Sequence, residues 1–139
     1  MPMKEIIELY TDGGARGNPG ISGIGVWAKD SAGEIVFEHA KYIGHQTNNY
    51  AEYEGLIEGL QLLIAHKQES KNVLVHMDSE LIIKQMRGEY KVKDPGLKKQ
   101  HERVRALLVR FAHVSFVHIR REQNAKADEL ANIAMDGAV

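Results

Sequence analysis

Four carboxylates are the residues of this chain best suited to chemistry, because each stands at the end of a predicted strand or the start of a predicted helix. They are Asp12 in YTDGG, Glu52 in TNNYAEYEGL, Asp78 in VLVHMDSE and Asp128 in NAKADELA. If folding brings them together, their like charges repel unless cations neutralise the set. Oxygen ligands favour hard divalent ions such as Mg²⁺ or Mn²⁺ over Zn²⁺. The chemistry expected of such a cluster is phosphoryl transfer.

A three-stranded meander is predicted in the first third of the chain. Residues 5–12 alternate in polarity and contain β-branched side chains, which is typical of a strand. The turn GNPG at 17–20 separates this strand from two further predicted strands over 21–29 and 34–43.

Strands and helices are predicted to alternate in the remainder of the chain. Apolar residues recur at helical spacing after Asn48 and Asn49, which are candidates for the helix cap, whereas later short apolar runs are typical of buried strands. The predicted elements are a helix from Asn49, a strand over 73–77, a helix over 81–86 ended by Gly88, a helix over 97–111, a strand over 113–119 and a helix from Asn124.

The resulting order, βββαβααβα, predicts an α/β fold. It implies a five-stranded mixed sheet, with three antiparallel strands followed by parallel strands and with helices on both faces. A chain of 139 residues can bury a sizeable core, so we predict that residues 1–139 form a single domain.

In such a fold the four carboxylates are expected to converge. Asp78 ends the fourth strand, at the kind of sheet edge where α/β proteins bind ligands, and Asp12 lies close to it if the first and fourth strands are parallel neighbours. Glu52 faces the core side of its helix, and Asp128 lies at the flank of a helix N-terminus. Taken singly, each has an ordinary explanation as a turn residue, a helix cap or a partner of a helix dipole. Their combination supports a shared metal site.

The composition excludes several classes of protein. The absence of cysteine excludes disulfides, thiol catalysis and cysteine-ligated zinc. No apolar run approaches the roughly 18 residues that a membrane span needs, and charges begin at Lys4 and Glu5 where a signal peptide would be apolar. We therefore expect a cytoplasmic protein without a membrane partner.

Charge is distributed unevenly along the chain, although the net charge is only −1. Residues 84–126 contain twelve lysines and arginines against four acidic residues, whereas the remainder contains six basic and fifteen acidic residues. This division predicts a basic flank beside an acidic site. The alternative is that the lysines simply form a solvated helix face.

The motifs of this chain resemble those of the type 1 ribonucleases H over nearly its whole length. They are YTDGGARGNPG (10–20), TNNYAEYEGL (47–56), MDSELIIKQMRGEYKVK (77–93) and REQNAKADELA (121–131). The resemblance implies a ribonuclease H-like fold, which agrees with the order of elements above.

The resemblance also implies a reaction, the hydrolysis of the RNA strand of an RNA–DNA hybrid by two Mg²⁺ ions, with Mn²⁺ as a substitute. In the family one ion activates water for attack on phosphorus and the other stabilises the departing 3′ oxygen, which leaves 5′-phosphate and 3′-hydroxyl ends. Asp12, Glu52, Asp78 and Asp128 match the family's catalytic, metal-binding carboxylates. Asp12 is expected to bridge both ions, Glu52 and Asp78 to complete the first site, and Asp128 to complete the second. Glu52 is also expected near the ribose 2′-hydroxyl.

Further positions are expected to contact the hybrid. They are Gly13, Gly14, Ala15, Asn18, Thr47, Asn48, Asn49 and Ser79. The two glycines and the alanine are expected in a turn whose backbone amides meet the RNA strand. Asn18 and Asn49 match asparagines that contact bases or sugars in relatives, and Thr47 matches a residue that binds a DNA phosphate. Turn formation and helix capping are the alternatives for Asn18 and Asn49.

The chain departs from the family pattern at three places. A catalytic histidine, found in many relatives in a GH dipeptide before the last aspartate, is missing, and Arg120 occupies the equivalent place. Arg120 or Glu122 is expected to assist proton transfer or product release instead, and His118 is expected to be a packed or surface residue of a strand. Glu80 stands where relatives have glutamine. A long basic insertion is also absent, so its role is expected to pass to Lys91, Lys93, Lys98 and Lys99.

Two other functions remain open at this stage. One is a hybrid- or duplex-binding module of the same fold with weak or no catalysis. The other is a nuclease or integrase that cuts DNA on this fold, since fold alone does not decide chemistry. We expect the protein to be a monomer.

Overall fold

A computed structural model describes residues 5–138 of the chain, so the first four residues and the last one of the predicted domain lie outside the described part. The elements are β1 (Ile6–Arg16), β2 (Gly20–Lys29), β3 (Ile35–Gln46), α1 (Asn48–Ala65), β4 (Asn72–Met77), α2 (Glu80–Met86), α3 (Pro95–Leu108), β5 (His113–His118) and α4 (Ala125–Asp136). A 3-10 turn over Arg121–Asn124, which was not predicted, precedes α4. The predicted order βββαβααβα is confirmed.

All five strands form one mixed sheet in the order β3-β2-β1-β4-β5. The pairs β1–β2 and β2–β3 are antiparallel, while β1–β4 and β4–β5 are parallel. The prediction of three antiparallel strands followed by parallel ones is therefore confirmed. Because β1 lies at the centre and pairs directly with β4, the end of β4 lies beside the middle of β1.

Helices cover both faces of the sheet, as predicted. On one face α1 packs against β1, and Gly59 of α1 lies against the side chains of Leu9 and Thr11. On the other face α4 approaches β2 so closely that a Cβ at Gly25 would lie 2.2 Å from the carbonyl oxygen of Ala127. Only glycine allows the two backbones to meet at that distance.

The main hydrophobic core lies between the sheet and α1, with α2 and α3 closing its sides. It is formed by alternate residues of the strands and by one side of each helix, among them Ile7, Leu9, Ile24, Val26, Leu56, Leu60, Val73, Val75, Ile82 and Val104. Burial of each large apolar side chain contributes about 1.5–3 kcal/mol relative to exposure. The core therefore fixes the positions of the elements that carry the carboxylates.

Two local predictions were wrong. The helix cap is Thr47, not Asn48 or Asn49; its backbone is extended and its side chain accepts a hydrogen bond from the backbone N–H of Tyr50. Residues 13–15 lie in strand β1 rather than in a turn, because β1 continues its pairing with β2 as far as Arg16 and Ile21. The turn is consequently confined to the residues between β1 and β2. No helix within residues 5–138 combines the length and the apolar character required to cross a membrane.

Candidate active site

Three of the predicted carboxylates meet at the edge of the sheet where β1 and β4 are neighbours. Asp12, Glu52 and Asp78 each place a side-chain oxygen within 4.8 Å of the others. In the parallel pair, Tyr10 of β1 lies opposite His76 of β4. Asp12 and Asp78 each follow these residues by two positions, so the alternation of the strands places them in the same phase.

Glu52 reaches the sheet because α1 lies directly on β1. Its Oε1 accepts a 2.6 Å hydrogen bond from the backbone N–H of Gly13. A Cβ at position 13 would lie 2.1 Å from the carbonyl oxygen of Ala51, so no other residue fits without moving the helix. Glycine at this position therefore allows the first turn of α1 to bring Glu52 beside Asp12.

The cluster is electrostatically unfavourable by itself. Burial, aided by the charges of Asp78 and Asp128, raises the pKa of Asp12 to about 7. Burial and the charge of Asp12 also raise the pKa of Glu52 well above its usual value. A divalent cation would supply the charge that stabilises the ionised form of both groups. Carboxylate oxygens are also the ligands that Mg²⁺ and Mn²⁺ prefer, so the donor set fits such an ion.

Asp128 lies further from this cluster but faces the same space. It belongs to the first turn of α4 and lines a cavity of about 510 Å³ together with Asp12, Glu52 and Asp78. Its charge contributes to the raised pKa of Asp12, which places it within electrostatic reach. The structure thus brings all four carboxylates to one cavity, three of them close together and the fourth on its wall.

Most of the positions expected to contact substrate lie around this cavity. The lining includes Gly13, Gly14, Ala15, Asn48, Asn49 and Ser79. Oδ1 of Asn48 accepts from the backbone N–H of Ala15 at 2.9 Å, and Oδ1 of Asn18 accepts from the backbone N–H of Asn48 at 3.1 Å. The amides are therefore oriented by the protein itself. Ser79 caps α2 through a hydrogen bond from the backbone N–H of Ile82.

A second cavity, of about 640 Å³, adjoins the first at the N-terminal ends of α1 and α3. Asn18, Thr47, Asn48 and Asn49 line it, and two of these, Asn48 and Asn49, line both cavities. The first turns of both helices are capped, since Thr47 accepts from the backbone N–H of Tyr50 and Asp94 accepts from those of Gly96 and Leu97.

The loop before the last aspartate contains Arg120 and Glu122, for which we expected an auxiliary role. Arg120 and Glu122 are both exposed and form an ion pair with each other at 3.4 Å. Neither lines the cavity of the carboxylates, whereas Arg121 does. Arg121 is exposed and belongs to the 3-10 turn, which we did not predict. Sequence reasoning missed this arginine because no sequence period distinguished it from Arg120.

Comparison with known proteins agrees with the fold. Residues 10–134 match the model of the family described as reverse transcriptase-like. The crystal structure of RNase H1 from Halobacterium salinarum superposes with a TM-score of 0.89 at 37% identity, covering 95% of this chain and 98% of that one. LC11-RNase H1, whose crystal structure contains an RNA/DNA hybrid, is 50% identical with a TM-score of 0.89 and the same coverage. The chain therefore belongs to the reverse transcriptase-like family and, within it, to the type 1 ribonucleases H.

Some relatives are much longer than this chain. The bifunctional protein Rv2228c of Mycobacterium tuberculosis is 44% identical over 138 residues, which are 98% of this chain but 36% of that protein. Ribonuclease HI of Halobacterium salinarum is 39% identical over 132 residues, and the chain spans 65% of it. The predicted resemblance to type 1 ribonucleases H is confirmed.

Proposed function

We propose that this protein is an endonuclease that hydrolyses the RNA strand of RNA–DNA hybrids and leaves 5′-phosphate and 3′-hydroxyl ends. The observation that carries this proposal is the approach of Asp12, Glu52 and Asp78 to within 4.8 Å of one another, beside a cavity that Asp128 also lines. Relatives named ribonuclease H, one of them with a bound hybrid, support the choice of substrate. We further propose that residues 1–139 act as a single domain.

The four carboxylates would hold two Mg²⁺ ions, for which Mn²⁺ is the proposed substitute. When bound, the ions supply the positive charge that activates the attacking water and stabilises the departing 3′ oxygen. Asp12 is proposed to contact both ions, Glu52 and Asp78 to complete one site, and Asp128 to complete the other. Oε1 of Glu52 is already held by Gly13, so Glu52 is oriented before a ligand arrives.

The asparagines are proposed to read the minor groove of the hybrid. Asn18 and Asn48 each use their side-chain oxygen to accept from a backbone N–H, so each presents an NH₂ group as donor. Acceptors on sugars and base edges are accessible in the shallow minor groove of an A-like duplex. Thr47, which lines the adjoining cavity, is proposed to bind a phosphate of the DNA strand.

Basic residues are proposed to hold the duplex on both sides of the cavity. Arg121 lines the carboxylate cavity, which supports our proposal that it contacts the scissile phosphate. An auxiliary role for Arg120 or Glu122 stays a prediction. A third cavity, of about 610 Å³ between α2 and α3, is lined by Lys91 and Lys98 among other cations, which supports a role for them in place of the absent insertion.

A hybrid whose RNA strand is labelled at its 5′ end tests the proposal directly. We expect cleavage that depends on Mg²⁺ or Mn²⁺ and that is absent from the Asp78→Asn variant at equal concentration. No cleavage by the wild-type protein at near-equimolar amounts, with either ion, would contradict the proposal. A labelled DNA duplex distinguishes the proposed enzyme from a DNA nuclease, because the proposed enzyme should leave the duplex intact.

The alternative of a hybrid-binding module without catalysis makes a different prediction. If the protein is such a module, the wild type and the Asp78→Asn variant should bind the hybrid equally well, and neither should cleave it. Equilibrium binding measured beside the cleavage assay therefore distinguishes the two. The cytoplasmic location and the monomeric state remain predictions from the sequence.

A further inference from the structure

A buried amide lies behind the carboxylate cluster and joins the segments that carry its members. The side chain of Asn124 is nearly inaccessible, with 1% of the residue exposed. Its Nδ2 donates to Oδ2 of Asp78 at 3.2 Å and to the backbone carbonyl of Thr11 at 2.9 Å. Thr11 directly precedes Asp12, and Asn124 immediately precedes the helix that carries Asp128.

The orientation of this amide is determined by its neighbours. Both groups facing Nδ2 are acceptors, so the opposite orientation would place the amide oxygen against two other oxygens. The oxygen Oδ1 instead points into the protein, where it is buried and has no hydrogen-bond partner within the described residues. An unpaired buried acceptor is unfavourable for stability. This cost has an explanation if the NH₂ group of the same side chain has a function at the site.

We propose that Asn124 is a positioning residue for the metal site, which it serves by fixing the carboxylate of Asp78 in the orientation that faces Asp12 and Glu52. It is not among the residues that line the cavity, so it acts through Asp78 and not on the substrate. A neutral amide suits this task because it orients the carboxylate without neutralising the charge that binds a cation. A lysine or arginine at the same place would compete with the ion. The inference rests on the proposed function, since it assigns a role at the same site.

The chain contains a matched control for this arrangement. Gln100 is also buried, and its Nε2 also donates to one backbone carbonyl, that of Tyr50 at 2.9 Å, and to one carboxylate, that of Glu54 at 3.1 Å. Its Oε1 is likewise buried without a partner in the described part of the chain. Gln100 links α3 to α1 and forms no hydrogen bond with any of the four carboxylates. Removal of either amide breaks the same kinds of hydrogen bond, but only one of them touches the site.

The experiment compares Asn124→Ala with Gln100→Ala in the full chain. Mn²⁺ binding is measured by titration calorimetry without substrate, the melting temperature is measured in EDTA, and the Mg²⁺ dependence of hybrid cleavage is measured separately. We expect both variants to melt at lower temperature. Only Asn124→Ala should weaken Mn²⁺ binding, by about 10- to 100-fold, because loss of a residue that hydrogen-bonds to a metal ligand typically has an effect of this size. The Mg²⁺ concentration needed for half-maximal cleavage should rise by a similar factor. Gln100→Ala should bind Mn²⁺ like the wild type.

Two results would overturn the inference: Mn²⁺ affinity unchanged in Asn124→Ala, or affinity lowered equally in both variants, which would indicate general loosening. If Asn124→Ala does not fold, Asn124→Leu keeps the branched shape without the donor, and the same loss of affinity is expected. A wild-type protein that binds Mn²⁺ but does not cleave the hybrid contradicts the proposed function alone. A wild-type protein that binds no Mn²⁺ overturns the positioning role together with the metal site.

Discussion

The backbone N–H of Gly13 donates a 2.6 Å hydrogen bond to Oε1 of Glu52, and this contact joins the central strand of the sheet to the first turn of α1. Gly13 is the residue after Asp12, so one hydrogen bond sets the distance between two carboxylates that come from different elements. The same approach of helix to strand leaves no room for a Cβ at position 13. Folding and the construction of the site therefore depend on the same contact.

Substitution of Gly13 by alanine is expected to damage stability and activity together. The added Cβ would lie 2.1 Å from the carbonyl oxygen of Ala51, so α1 must move. We expect the unfolding free energy of Gly13→Ala to fall by about 2 kcal/mol or more and hybrid cleavage to fall on the order of 100-fold, because Glu52 is displaced. Gly14→Ala is the control for stability, since its Cβ would meet only Met135 Cε at 3.8 Å. A wild-type melting temperature for Gly13→Ala would contradict this packing.

The metal-free protein is expected to lose stability as the pH rises from about 4 to about 7. The pKa of Asp12 is raised from 3.8 to about 7 in the folded state, so over this interval the folded state binds more protons than the unfolded state. Stability then falls with rising pH. Thermal unfolding in EDTA should therefore give a higher melting temperature at pH 5.5 than at pH 8, by several degrees, since about 1 kcal/mol corresponds to roughly 3–5 °C in a domain of this size.

The Asp12→Asn variant tests whether this pH dependence of stability arises from Asp12. The neutral amide removes the titrating group and its repulsion with Glu52 and Asp78, so we expect a higher melting temperature at pH 8 without metal and a flatter pH profile. Saturating Mg²⁺ should also flatten the profile of the wild type, because the ion stabilises the charged form. A wild-type profile in EDTA that rises from pH 5.5 to pH 8 would show that burial of Asp12 does not govern its titration.

Substitution of Asp78 is expected to affect both Mn²⁺ binding and cleavage, whereas substitution of Asp128 is expected to affect mainly cleavage. Asp78→Asn removes one of the three clustered carboxylates, so we expect loss of both Mn²⁺ binding and cleavage, the latter by about 1,000-fold, equivalent to about 4 kcal/mol of transition-state stabilisation. Asp128→Asn leaves those three intact. It should retain binding of one Mn²⁺ ion while its cleavage rate falls. Equal loss of binding in both variants would place Asp128 inside the cluster.

Arg121 and its neighbour Arg120 form a matched pair for testing the role of positive charge at the cavity. Arg121 lines the cavity, whereas Arg120 pairs with Glu122 at the exposed surface. We expect Arg121→Ala to lower kcat about 10- to 100-fold, the range that corresponds to loss of a charged hydrogen bond. Arg121→Lys should recover part of it, and Arg120→Ala should lower kcat less than Arg121→Ala does. The reverse ranking of the two alanine variants would favour Arg120, the auxiliary residue predicted from sequence, over Arg121.

The order of elements and the identity of the carboxylates could both be predicted from the sequence. Hydrophobic periodicity depends on which side of an element is buried, and it predicted the helices, while short apolar runs predicted the later buried strands. Asp78 directly follows β4 and Asp12 lies in β1, so parallel pairing of these two strands was enough to bring them together. These features are local in sequence or follow from topology.

Only the tertiary structure shows which of two neighbouring residues, Arg120 or Arg121, lines the site. Arg121 lines the cavity and Arg120 does not because of a four-residue 3-10 turn whose pitch no sequence period revealed. Residues 13–15 lie in a strand because β2 extends to pair with them, and Asn124 reaches Asp78 across 46 positions of the chain. Such contacts depend on the packing of segments distant in sequence. The chain thus determined by itself which groups are available for chemistry, and the fold determined their orientation, because hydrogen bonds and close backbone contacts form only after the elements have docked.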